Sequence, residues 1–130
     1  MSNTVITFGT FDVFHVGHLR ILERARAYGD SLVVGVSTDA LNIAKKGRPP
    51  VYDQHERMEI VAALKCVDAA FFEESLELKE HYIEHYAAQV LVMGDDWAGK
   101  FDQFSSRCKV VYLPRTPAIS TTEVIEKIRH

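Results

Sequence analysis

Residues 5–24 read Val-Ile-Thr-Phe-Gly-Thr-Phe-Asp-Val-Phe-His-Val-Gly-His-Leu-Arg-Ile-Leu-Glu-Arg. Val5 to Phe8 is an apolar, β-favouring run closed by Gly9, the pattern of a buried strand leaving a sheet. From Leu19 the period changes. Leu19, Ile21, Leu22 and Ala25 fall at helical spacing among Arg20, Glu23, Arg24 and Arg26. After Tyr28-Gly29-Asp30 comes a second apolar run without alternation, Ser31 to Ser37, as expected of a parallel strand covered on both faces.

A strand, a helix and a strand in this order imply a right-handed crossover. The expected fold is therefore α/β: a doubly wound, Rossmann-like parallel sheet with helices on both faces. Val67–Phe72, Val90–Met93 and Lys109–Leu113 supply three further strands, making the sheet five-stranded. Asp39–Ala44 reads as a short helix. Asp53 with Glu56, and Ser120 with Glu123, have the spacing of capping boxes that open two more helices. Leu76, Ile83, Tyr86 and Ala87 mark another. With no linker, repeat or low-complexity segment, residues 1–130 read as a single domain.

Composition bounds the function classes. The chain is 47% apolar and 25% charged, which suits a globular protein, and its net charge of −3 argues against general nucleic-acid binding. Cys66 and Cys108 stand far apart with no motif around them and suit a reducing compartment. No signal-like or membrane-spanning run is present, so a cytoplasmic protein without a membrane partner is expected. His81 and His85 lie at i and i+4 but lack a third ligand, and read as a solvated face.

Between the first strand and its helix lie Gly9-Thr10-Phe11-Asp12 and His15-Val16-Gly17-His18. Unpaired N–H groups at a helix start form an anion site. Two imidazoles three residues apart can face one phosphate there, and Gly17 leaves room for a polyphosphate against the backbone. As metal ligands the two histidines have no nearby cysteine or acidic trio to complete a site. Neither a P-loop nor a dinucleotide fingerprint occurs. A second anion cradle is expected at Arg115 and the helix start near Ser120.

The Gly9-to-Asp12 and His15-to-His18 motifs resemble the signature of the His-x-Gly-His nucleotidyltransferases. With Arg115-Thr116, Ile119-Ser120-Thr121-Thr122, Val36-Ser37-Thr38-Asp39 and Met93-Gly94-Asp95-Asp96-Trp97, the chain is most similar to the small bacterial glycerol-3-phosphate cytidylyltransferases. Where close relatives carry Glu-Gly between Thr116 and Ile119, this chain has Pro117-Ala118.

The resemblance implies CTP and glycerol 3-phosphate as substrates, with CDP-glycerol and pyrophosphate as products. It places His15, His18, one of Lys45 and Lys46, and Arg115 among the catalytic groups. It assigns the nucleotide to Gly9, Thr10, Phe11, Asp12, Gly17, Asp95, Trp97, Arg115, Ile119, Ser120, Thr121 and Thr122. Lys45, Lys46 and Arg57 are candidates for the acceptor, although an ion pair within the fold accounts for Arg57 almost as well. Mg²⁺ held mainly by substrate phosphates is the expected cofactor, with Asp12 a water-mediated helper, and a homodimer is expected with Lys65-Cys66-Val67-Asp68 near the contact. Alternatives are cytidylyl transfer to another phosphorylated alcohol, adenylyl transfer to FMN, or a non-catalytic nucleotide-binding module. The intact His15 and His18 pair argues against the last.

Overall fold

A computed structural model describes residues 3–114 and 120–129. Five parallel strands form one sheet: β1 (Thr4–Gly9), β2 (Ser31–Ser37), β3 (Ala69–Glu73), β4 (Val90–Gly94) and β5 (Lys109–Leu113). Their order across the sheet is β3-β2-β1-β4-β5. The chain therefore builds outward from β1 in one direction, then returns and builds in the other. This reversal places a crevice beyond the C-terminal ends of β1 and β4. Thr7 bridges these two strands, its hydroxyl donating to the Val92 carbonyl at 2.5 Å.

The helices are α1 (Val16–Arg26), α2 (Asp39–Lys46), α3 (Gln54–Ala62), α4 (Lys79–His85) and α5 (Thr121–Arg129). Strand alternation divides the core in two. On one face Val5, Leu32, Val34, Val36 and Val92 pack with Leu22 and Ala25 of α1 and Val61 of α3. On the other, Ile6, Phe8, Leu91 and Met93 meet Ile83 of α4 and Phe101 of the β4–β5 connection. These core side chains are all below a tenth exposed, so helices cover both faces of the sheet.

Several boundaries differ from the sequence expectations. Helix α1 begins at Val16, because His15 itself caps it. Helix α2 runs through Lys45 and Lys46 and stops at Gly47, whose φ of 75° supplies the left-handed cap. Lys45 and Lys46 thus stand on a helical turn, with the loop starting after them. Strand β3 begins two residues later than expected, after Asp68 caps the Leu32 N–H at 2.8 Å. Among the described residues, no helix is long and apolar enough to cross a membrane.

Candidate active site

A cavity of about 650 Å³ opens at the crevice between β1 and β4. Its floor is Phe8, Gly9, Met93 and Gly94, and its walls come from the loop after β1, Lys46 with residues 48–51, Asp96 with Trp97, and α5. This volume suits a nucleotide-sized ligand.

The loop after β1 is held in an unusual backbone shape. Phe11 (φ 55°) and Val13 (φ 47°) both lie in the left-handed region. For a β-branched residue such as Val13 this is costly and persists only under strong constraint. Burial supplies part of that constraint, since both side chains are 7% exposed. Gly9 accommodates the Phe11 ring, which would stand 2.8 Å from a Cβ at residue 9. Asp12 supplies the rest. Its carboxylate accepts from the N–H of Val13 (3.0 Å), Val51 (2.8 Å) and Tyr52 (2.9 Å).

The two histidines cap α1 reciprocally. His15 Nδ1 accepts from the Gly17 N–H at 3.1 Å, and His18 Nδ1 accepts from the His15 N–H at 3.2 Å. Their rings stack with centroids 3.9 Å apart. A neutral imidazole that accepts at Nδ1 carries its proton on Nε2. Burial, then the charge of His15, pulls the His18 pKa down to about 4 against the opposite influence of Asp12. Burial also lowers that of His15. At neutral pH both rings are uncharged, and each presents an Nε2–H donor. Sequence spacing pointed to the pair but not to this, because the cap consumes one nitrogen of each ring.

Helix α5 closes another side. Ser120 caps it by accepting from the Glu123 N–H at 3.1 Å. The Thr121 hydroxyl donates to the Asp12 carbonyl at 3.1 Å and lies 3.5 Å from His15 Nε2. Thr121, Thr122, Ile125 and Arg129 line the cavity. Arg115 and Ile119 lie outside the described residues.

Other candidates are sorted by their partners. Thr10 lines the cavity, yet its hydroxyl donates to Asn42 Oδ1 at 2.9 Å and meets Ser37 Oγ at 3.1 Å, within a polar cluster under α2. Gly17 serves the cap through its N–H. Lys46 lines the cavity and Lys45 does not. Instead the Lys45 ammonium lies within electrostatic reach of Glu73 and Lys79, and burial lowers its pKa.

The structure places two of the candidates away from the cavity wall. Arg57 does not face the cavity: it is 0% exposed. Its guanidinium donates to Asp39 Oδ1 (2.8 Å) and to the carbonyls of Thr10 (2.9 Å), Ser37 (2.7 Å) and Tyr52 (3.0 Å). It is bound to the fold rather than offered to an acceptor. The carboxylate at the end of β4 that lines the cavity belongs to Asp96, beside Trp97, while Asp95 stands outside the lining. Gly94 makes this possible, since a Cβ there would meet Asp96 Oδ1 at 2.7 Å. The Asp95-Asp96 pair was visible in the sequence, but the short 3₁₀ turn over Asp95–Trp97 decides which member faces inward.

Sequence reasoning also missed Arg48 and Arg129 as cavity residues, and the buried pair of Lys79 and Glu73 at 2.5 Å. The Lys79 ammonium sits 4.1 Å from the centre of the Phe8 ring. Helical periodicity gave no reason to bury a lysine.

Comparison with known proteins agrees with this geometry. Residues 6–127 match the cytidylyltransferase-like family model. The chain is 46% identical to a glycerol-3-phosphate cytidylyltransferase of Bacillus subtilis (strain 168), covering 95% of each chain. It is 40% identical to one of Staphylococcus aureus (strain NCTC 8325 / PS 47), covering 95% of this chain and 93% of the relative. Its fold is similar to the crystal structure of the lipopolysaccharide core biosynthesis protein from Thermoplasma volcanium GSS1. There the TM-score is 0.75 at 23% identity, over 89% of this chain and 99% of that one. With the paired imidazoles at the topological switch point, these matches place the chain in the glycerol-3-phosphate cytidylyltransferase family of cytidylyltransferase-like proteins.

Proposed function

We propose that this nucleotidyltransferase joins CTP and glycerol 3-phosphate to give CDP-glycerol and pyrophosphate. The observation that carries the chemistry is the stacked pair of neutral imidazoles, each with Nδ1 committed to the backbone; His18 lines the cavity, and His15 stands behind it with Nε2 3.5 Å from the Thr121 hydroxyl. The substrates follow from near-full-length identity to glycerol-3-phosphate cytidylyltransferases.

An oxygen of the acceptor phosphate attacks the α-phosphorus of CTP. The bond from that phosphorus to the bridging oxygen breaks, and pyrophosphate leaves with the electron pair. The nucleophile is already an anion, so no general base is needed. The protein's task is to hold two mutually repelling anions in line and to stabilise charge on the transferring group. His15 and His18 donate to its oxygens without drawing on a titrating proton. Lys46, Arg48 and Arg129 neutralise triphosphate from the cavity walls; Lys45, outside the lining, is proposed for the acceptor phosphate on the family resemblance alone.

Among the described residues, no cluster of three or more His, Cys, Asp or Glu forms a metal cage. We propose Mg²⁺ carried in on the nucleotide and held mainly by its phosphate oxygens, where it would offset triphosphate charge. The chain is further proposed to act as a homodimer through the region of Lys65–Asp68, and sedimentation showing only a 14.7 kDa species would reject this.

The test of function is pyrophosphate release with four nucleoside triphosphates against a panel of phosphorylated alcohols and FMN. Turnover should be greatest with CTP and glycerol 3-phosphate. Faster turnover with another pair would reassign the substrates, and none with any pair would sink the enzymatic reading.

A further inference from the structure

The geometry points to Asp12 as a positioning residue that sets the nucleotide-facing strap of residues 47–52. The carboxylate has three backbone donors, one from its own loop and two, Val51 and Tyr52, from the far end of the strap. Asp12 Oδ1 takes Val13 and Tyr52, and Oδ2 takes Val51. A carboxylate so engaged is a structural acceptor before it is anything else.

Three features make the strap depend on this tether. Val51 is 66% exposed, so packing holds it little. Pro49 and Pro50 restrict φ through the middle of the strap, so anchoring one end constrains where Arg48 lies. Gly47 is the left-handed pivot at the other end, and among the described residues nothing stands within 4 Å of where its side chain would be to brace it. Lys46, Arg48, Pro49, Pro50 and Val51 all line the cavity, so the strap's position is the position of that wall.

The same residue registers a second wall. Its carbonyl accepts from Thr121 at the start of α5, and Thr121 also approaches His15 Nε2. Arg57 ties Tyr52 from its opposite side, through the Tyr52 carbonyl. Asp12 is therefore where the histidine loop, the basic strap and α5 are brought into one arrangement. This role rests on the cytidylyl-transfer reading of the cavity, but its first test does not.

That test is amide hydrogen exchange by NMR on the ligand-free protein. In Asp12→Asn one of the two acceptor oxygens becomes a donor, so whichever of the Val51 and Tyr52 amides faces it should exchange about tenfold or more faster, the loss of one charge-assisted bond. Core amides such as Leu91 should exchange as in the wild type. Unchanged protection at Val51 and Tyr52 would overturn the proposal.

The second test is kinetic. Asp12→Asn should lower kcat/KM for CTP about tenfold or more, with the Mg²⁺ concentration for half-maximal rate unchanged. Val51→Pro removes one donor while leaving the Asp12 charge in place. It should act in the same direction, and the double variant should be no worse than Asp12→Asn alone. A shifted Mg²⁺ requirement in Asp12→Asn with additive effects in the double variant would make Asp12 a cation ligand and overturn the proposal. If Val51→Pro fails to fold, the exchange measurement on Asp12→Asn still decides.

Discussion

Replacing His18 three ways separates its two jobs. Its Nδ1 holds the start of α1 by accepting from the His15 N–H at 3.2 Å, and its Nε2–H is free to meet a phosphate oxygen. Asparagine places an amide oxygen near the Nδ1 position and nothing at Nε2. Glutamine reaches the Nε2 position with an amide N–H and leaves the cap acceptor empty. Alanine has neither. Losing a capping acceptor costs about 0.5–2 kcal/mol of stability. Losing a preorganised donor to the transferring group costs about 10²–10³ in kcat. His18→Asn should therefore keep near wild-type stability and lose about 10²–10³ in turnover. His18→Gln should lose about 1 kcal/mol in stability yet stay within roughly tenfold of wild-type turnover. His18→Ala should show both defects. Urea denaturation and pyrophosphate release at saturating substrates measure the two quantities independently. An asparagine variant with wild-type turnover, or a glutamine variant no better than asparagine, would refute the Nε2–H assignment.

Acid should destabilise the protein through the same residue. His18 titrates at about 4 when folded and near 6.5 otherwise, so the unfolded chain binds the extra proton between those values. Stability present above pH 6.5 is then lost as pH falls toward 4, by about 3 kcal/mol, in a window that His18→Asn should largely remove. Arg57→Met takes the guanidinium away from Asp39 Oδ1 and the carbonyls of Thr10, Ser37 and Tyr52 and should cost about 3–5 kcal/mol, measured by denaturation; normal stability with a raised KM for acceptor alone would return Arg57 to the substrate site. Lys46→Ala should raise KM for CTP and Lys45→Ala should raise KM for glycerol 3-phosphate, in steady-state kinetics varying one substrate at a time. Reversed effects would exchange the two roles.

Residue types and their local spacing were enough to determine the sheet, the motif loop at the end of its first strand, and the two helix starts that flank the cavity. Apolar runs distinguish strands from helices because burial has a period, and that period is written within a dozen residues. Ser120 with Glu123 was legible for the same reason, since a cap spans one helical turn. Side-chain direction was not. Arg57 turned inward because Asp39 and the carbonyls of Thr10, Ser37 and Tyr52 converge on it from separate segments. Asp12 became a tether because Val51 and Tyr52, 39 and 40 residues later, present their N–H groups to it. Thr121 reached the Asp12 carbonyl across 109 residues. Such pairings follow from how the strands and loops meet in space. A buried polar group must find a partner, and which one it finds is settled only when the chain has folded.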